Sequence, residues 1–139
     1  QGVTWRKLDR IGVGVGPGNF TGIRISVAAA RGLALALDIP AIGISTFDAI
    51  RARKPAGTPS VQAPRDMLHV ERPGTAPALV PASEVGDPAL PPPPAHLAQA
   101  IAALTRMAPA NGPPPAPLYL RPADAAPARD APPLILDDA

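Results

Sequence analysis

Glycine recurs at positions 12, 14, 16, 18 and 22, and the run closes on Arg24. Glycines spaced this way ahead of an apolar stretch suit a phosphate cradle, where backbone N–H groups at a helix N-terminus approach an anion closely. Both standard fingerprints fail on spacing. A Walker A loop requires G-x-x-x-x-G-K-[ST], and Lys7 and Lys54 both lie outside the loop. A G-x-G-x-x-G pattern begun at Gly12, Gly14 or Gly16 ends on Pro17, Asn19 or Thr21. Close packing of backbone is therefore favoured over a bound nucleotide.

Arg24 is the second group able to do chemistry. It falls in the first turn of an expected helix, where a cation opposes the helix dipole by about 0.3–1 kcal/mol. Either it is solvated or paired within the chain, or it meets a carboxylate or other anion brought by a neighbour. Arg31 follows seven residues later on the same face. The only histidines, His69 and His96, lie in a proline-rich region and are expected to be exposed and idle. No His and carboxylate cluster has metal-ligand spacing. Asp137-Asp138 reads as a solvated pair. The expectation is no catalytic residue, no cofactor and no metal.

The elements that position these groups are legible in the first third of the chain. Residues 11–15 alternate β-branched residues with Gly12 and Gly14, the period of a strand. Two glycines on one face suggest that another backbone passes close. The run Gly16, Pro17, Gly18, Asn19 is turn chemistry, and Thr21 is expected to cap a helix over 22–37. Ile23, Val27, Ala30, Ala34 and Leu37 form its stripe. Apolar residues also occupy the other sides, so this helix should be covered twice, by its own sheet and by another helix or protein. Residues 41–45 read as a second strand. Ser45 or Thr46 caps a short helix reaching about Arg53, with Asp48 near its positive end. Strand, helix, strand predicts a parallel pair.

Only Pro17 and Pro40 fall in the first 50 residues, while the chain of 139 holds 22 prolines. The second part is thus expected to lack long helices and central strands. Short strands at 67–71 and 78–80, a helix at 95–107 and an apolar segment at 118–120 are its only signals, and the remainder reads as a flexible tail. Order should be best from about Ile11 to Arg53. Trp5 is expected to be a packing residue. There are 13 basic and 11 acidic residues and no cysteine, which disfavours an autonomous nucleic-acid surface and excludes disulfides. No 18-residue apolar span is expected, because Arg24, Ser26 and Arg31 interrupt the most apolar run.

The stretch from Gly14 to Ile25, then Ala28-Ala29-Ala30-Arg31-Gly32-Leu33-Ala34 and Ile39-Pro40-Ala41-Ile42-Gly43-Ile44-Ser45, resembles the TsaB (YeaZ) family. Pro117-Leu118-Tyr119-Leu120-Arg121 is similar to that family's C-terminal signature. The resemblance implies a mixed α/β fold: a partial actin-like/Hsp70-like ATPase (RNase H-like) subdomain with a βαβα core over 1–54. It leaves 55–139 as a proline-rich, weakly ordered, reduced second subdomain and tail. It also implies a non-catalytic, cytoplasmic subunit of tRNA threonylcarbamoyladenosine synthesis that scaffolds and activates TsaD, with TsaE joining them. The family acts on adenosine 37, reaching tRNA only through the complex. A homodimer without TsaD is expected, and no membrane partner. The catalytic relative TsaD carries two metal-binding histidines where this chain has Thr46 and Ile50.

The family opens on a β-hairpin and first helix that precede the present Gln1, so the resemblance implies an N-terminally truncated relative. The interface is expected at Ile23, Arg24, Val27, Ala30, Arg31 and Ala34. Gly16, Pro17, Gly18, Asn19, Phe20, Thr21 and Gly22 form the structural loop. The alternatives are an autonomous nucleotide-dependent transferase or peptidase of the same superfamily, and a non-functional remnant.

Overall fold

A computed structural model describes residues 4–53 and 56–120. The tail and Asp137-Asp138 lie outside the described residues. After a 3-10 turn at Trp5–Lys7, β1 (Ile11–Gly16) leads into α1 (Phe20–Leu37), β2 (Ala41–Ser45) and α2 (Thr46–Arg51). β3 (Thr58–Ala63), β4 (Met67–Val70), β5 (Ala78–Pro81), the two-residue β6 (Pro88–Ala89) and α3 (Pro94–Met107) follow.

The expected βαβ unit is present: β1 and β2 pair in parallel, Ile11 opposite Ala41 through Gly14 opposite Ile44. The two strands carry complementary profiles. Gly12 and Gly14 face partners Ile42 and Ile44, while Val13 faces Gly43, so each bulky residue leans over a bare position on the neighbouring strand. Helices then cover both faces of this narrow sheet. On one face Val27 and Ala30 of α1 bury Val13, flanked by Ile11, Val15 and Ile23. On the other, Leu97, Ile101 and Leu104 of α3 pack around Ile44, Ala49 and Ala100. The alternating glycines let α3 come close. A methyl group on Gly14 would meet Ile101 Cδ1 at 3.3 Å, and one on Gly12 would overlap Thr105. Glycine in this strand is thus a packing requirement, as its period suggests.

The helix starts earlier than expected. Asn19, not Thr21, is the N-cap of α1, and its side chain accepts the Gly22 N–H at 2.7 Å. Asparagine ranks above threonine at this position, so Phe20 and Thr21 become helical. Asp38 ends the helix in the left-handed region, φ 54°. Over its 18 residues α1 has mean hydropathy 1.4, and by length and composition it is apolar enough to cross a membrane. The expectation of no such span is therefore overturned: two arginines and a serine do not offset the alanine, leucine and isoleucine around them.

The proline argument also needs correction. The second part holds a four-stranded sheet, order β5-β4-β3-β6, and the 14-residue helix α3. The central strand β3, which sequence reading missed, contains Pro59. It tolerates that proline because Pro59 precedes the β4 ladder, which begins at Ser60 opposite Val70, and pairs instead with Ala89. In α3 the proline stands in the first turn, where no donor is needed. The second sheet has its own core of Leu68, Val70 and Val85. Phe47 and Ile50 of α2 join Val61 and Ala89, with Leu118 and Leu120 packed against them, and so tie the two sheets together.

Two smaller expectations fail. Trp5 is 64% exposed and packs into no core. His69 is half-buried in the middle of β4, not exposed, since its strand is covered on both edges; His96 is exposed, as expected.

Candidate functional site

The two stretches that carry the family resemblance, whose aromatic residues Phe20 and Tyr119 are 99 positions apart in sequence, meet in space around Arg24. Backbone places them there. The Leu118 N–H donates to the Val15 carbonyl at 2.8 Å, and Pro115 packs on Gly43, where a Cβ would be 3.2 Å away. Residues 115–120 are thereby drawn along the end of β1, beside the first turn of α1. The loop between them is pinned from below: the Thr46 hydroxyl donates to the Pro17 carbonyl at 2.8 Å. Gly16, at φ 99°, makes the turn that only glycine accepts without strain.

The result is a cluster of three side chains. Arg24 Nε donates to the Tyr119 hydroxyl at 2.8 Å. Its guanidinium carbon lies 3.8 Å from the Phe20 ring centroid and 5.3 Å from that of Tyr119. The two rings are 5.6 Å apart and tilted by 48°. Phe20 and Tyr119 remain 53% and 50% exposed. Neither aromatic residue was assigned to a site with Arg24 in the sequence; only the similarity of both stretches to one family's motifs could have linked them.

The expected interface residues divide. Val27, Ala30 and Ala34 are buried at 3%, 6% and 5% exposure against the chain's own sheet, and Ile23 packs with them. They form the inner face of α1 and are not available to a partner. The reason is periodicity: the most regular apolar stripe is the one the sheet requires. Arg24 and Arg31 are exposed on one rim. The outward face consists instead of Ile25, Ala28, Ala29, Gly32 and Ala36, flanked by Leu33 and Leu35. Ile25 and Leu35 are 65% and 86% exposed, and a Cβ on Gly32 would meet nothing within 4 Å. Small residues at its middle allow close approach by another helix.

The positions of Thr46 and Ile50 are committed elsewhere. Thr46 spends its hydroxyl proton on Pro17, and Ile50 is 1% exposed within the core. Among the described residues no three His, Asp or Glu side chains gather at metal-binding distance. A second charged group lies at α2. Ser45 caps the helix and also donates to Asp48 at 2.6 Å. Arg51 bridges Asp48 and Glu71. Burial raises the Asp48 carboxyl, but the hydrogen bonds from Ser45 and Arg51 outweigh it and hold the group below its ordinary value. Arg51, pushed down by burial, is raised overall by Glu71 and Asp48. This cluster is self-satisfied and joins α2 to the second sheet.

Residues 1–70 match the family model described as TsaD: tRNA N6-adenosine threonylcarbamoyltransferase. The chain belongs to this family. Its relatives carry the names TsaB and YeaZ. The chain is 44% identical over 47 residues to the tRNA threonylcarbamoyladenosine biosynthesis protein TsaB of Escherichia coli (strain K12), a match covering 34% of this chain and 20% of that protein. The chain thus spans about a fifth of the length of the curated relatives it matches. It superposes on YeaZ from Pseudomonas aeruginosa with TM-score 0.51 and 28% identity, over 61% of this chain and 47% of the other. A further structure, described as an uncharacterized protein with similarity to peptidase YEAZ from Pseudomonas aeruginosa, matches with TM-score 0.64 and 20% identity. That match covers 86% of this chain and 77% of the other. It extends the fold likeness through the proline-rich second part.

Proposed function

We propose that this chain acts as a non-catalytic subunit in tRNA threonylcarbamoyladenosine synthesis, docking on a TsaD protein through the outward face of α1. The observation that carries the reading is that face. It lies within the segment matched to the family, its core is apolar, and the fold leaves it bare. A helix with an uncovered apolar face of this kind gains stability when another helix covers it. The name borne by the relatives, tRNA threonylcarbamoyladenosine biosynthesis protein TsaB, supports the pathway.

In this reading the partner helix lies across Ile25, Ala28, Ala29 and Gly32, with Arg24 and Arg31 at the rim. Charged groups at the rim and apolar groups at the centre match the usual anatomy of a protein interface. TsaE joins the pair, tRNA is reached only through the complex, and the setting is cytoplasmic. The same face closes a homodimer when TsaD is absent, since a self-complementary apolar surface satisfies itself by two-fold pairing.

Co-purification with the TsaD protein of the same organism tests the reading. Ala28→Glu and Gly32→Glu should abolish the complex without lowering helix content or melting temperature, because both positions face solvent in the free chain. Retention of the complex in both variants would sink the docking surface.

A further inference from the structure

We infer that Arg24 is a preformed anchor for a carboxylate of the docking protein, held in its binding conformation by Phe20 and Tyr119. The inference rests on the docking reading above and adds the chemistry of the contact. An exposed arginine normally samples many rotamers, and binding must freeze them. Here the guanidinium is stacked over Phe20 at 3.8 Å, and Nε is committed to the Tyr119 hydroxyl at 2.8 Å. The Nη1 and Nη2 ends of the fork carry no hydrogen bond among the described residues. That pair of donors matches the two oxygens of a carboxylate.

Nothing in the described chain supplies that carboxylate. Between Asn19 and Leu37 there is no Asp or Glu, and no ion pair joins Arg24 to a carboxylate among the described residues. Arg24 is the fifth residue of α1, and no acidic residue in the helix lies beside it to offset its charge. The stacked ring and the hydroxyl stabilise the arginine's position without neutralising its charge. The arrangement also has the composition of an interface hot spot, where arginine and aromatic residues dominate.

A protein carboxylate fits better than an RNA phosphate. The surface that continues from Arg24 is the apolar face of α1, with Leu35, Ala28 and Ile25 exposed. A phosphate backbone would call for further basic groups along its track, and among the described residues of α1 only Arg31 follows on that rim.

Calorimetric titration of the full chain into the TsaD protein of the same organism decides the matter, with tRNA binding measured in parallel. Arg24→Lys retains charge but loses the fork and the stacking, and should weaken the complex roughly tenfold or more. Tyr119→Phe removes only the hydroxyl acceptor and should weaken it by a few-fold. The parental affinity should fall with added salt more steeply than that of Arg24→Ala. All variants should keep the parental melt, since the cluster lies at the surface. If Arg24→Lys and Arg24→Ala bind within twofold of the parent while Gly32→Glu does not bind, the anchor is wrong and the docking reading stands. If Gly32→Glu also binds normally, the docking reading itself fails. Loss of tRNA affinity in Arg24→Ala with the protein complex intact would overturn the carboxylate in favour of a phosphate.

Discussion

Gly12 and Thr105 share one space: a Cβ on Gly12 would lie 2.0 Å from Thr105 Oγ1 and 2.9 Å from its Cβ. Thr105 is 4% exposed and its hydroxyl already donates to the Ile101 carbonyl at 2.7 Å. It has no room to retreat. Gly12→Ala should therefore push α3 off the sheet and cost about 1–3 kcal/mol or more, the range for overpacked cores. Denaturant melts measure this. Thr105→Ala in the same chain removes the nearest atom and should recover part of the loss, so a double variant no more stable than Gly12→Ala would refute the contact.

Arg10 holds the far end of the same helix. Its Nη1 donates to the carbonyls of Ala108 at 2.8 Å and Thr105 at 3.0 Å, groups that the end of α3 leaves without helical partners. A cation there also complements the helix dipole. Arg10→Met, which keeps an apolar stem, should destabilise the fold by about 1–2 kcal/mol. Amide exchange should speed up first over the last turn of α3. Uniform loss of protection across the chain would instead mean that Arg10 supports the whole fold.

The inner and outer faces of α1 should respond oppositely. Val27→Asp places a charge at a 3% exposed position and should unfold the chain, because an unpaired buried charge costs several kcal/mol. Gly32→Ala adds a methyl where nothing lies within 4 Å. It should stabilise by roughly 0.5–1 kcal/mol through helix propensity. Thermal melts of both variants test the orientation of the helix, and a stable Val27→Asp would contradict it.

The α2 cluster predicts a response to acid. The Asp48 carboxyl is held below its ordinary value of 3.8 in the folded chain. The folded state thus binds its proton less readily than the unfolded state. Its contribution is fully present above pH about 4 and is lost as pH falls through the depressed folded value. Because Asp48 is half exposed, solvent screening keeps the effect small. Asp48→Asn should lower stability at neutral pH and flatten the melting temperature below pH 4; an unchanged acid limb would argue against the Ser45 and Arg51 contacts.

Asn19 and Pro59 mark where local sequence was and was not enough. The βαβ order, the parallel pairing, the α1 stripe and the α3 stripe were all legible, because each follows from a period of about 2 or 3.6 that burial imposes on neighbouring residues. The choice of Asn19 over Thr21 is a competition between two competent caps within one turn, which the stronger capping preference of asparagine resolves. β3 was invisible because proline argues against a central strand, and only the staggered partners, β6 at its start and β4 beyond, make Pro59 harmless.

The sequence by itself determined that a glycine turn joins a strand to a long apolar helix, and that the helix needs more than one cover. It could not assign the covers, since apolar residues surround the helix and periodicity says only that a face is buried. The tertiary structure gave Val27, Ala30 and Ala34 to the chain's own sheet and left Ile25, Ala28, Gly32 and Leu35 outside. It also brought Tyr119 to Arg24. A contact across so many residues depends on where Leu118 pairs with Val15, and no local pattern records that pairing.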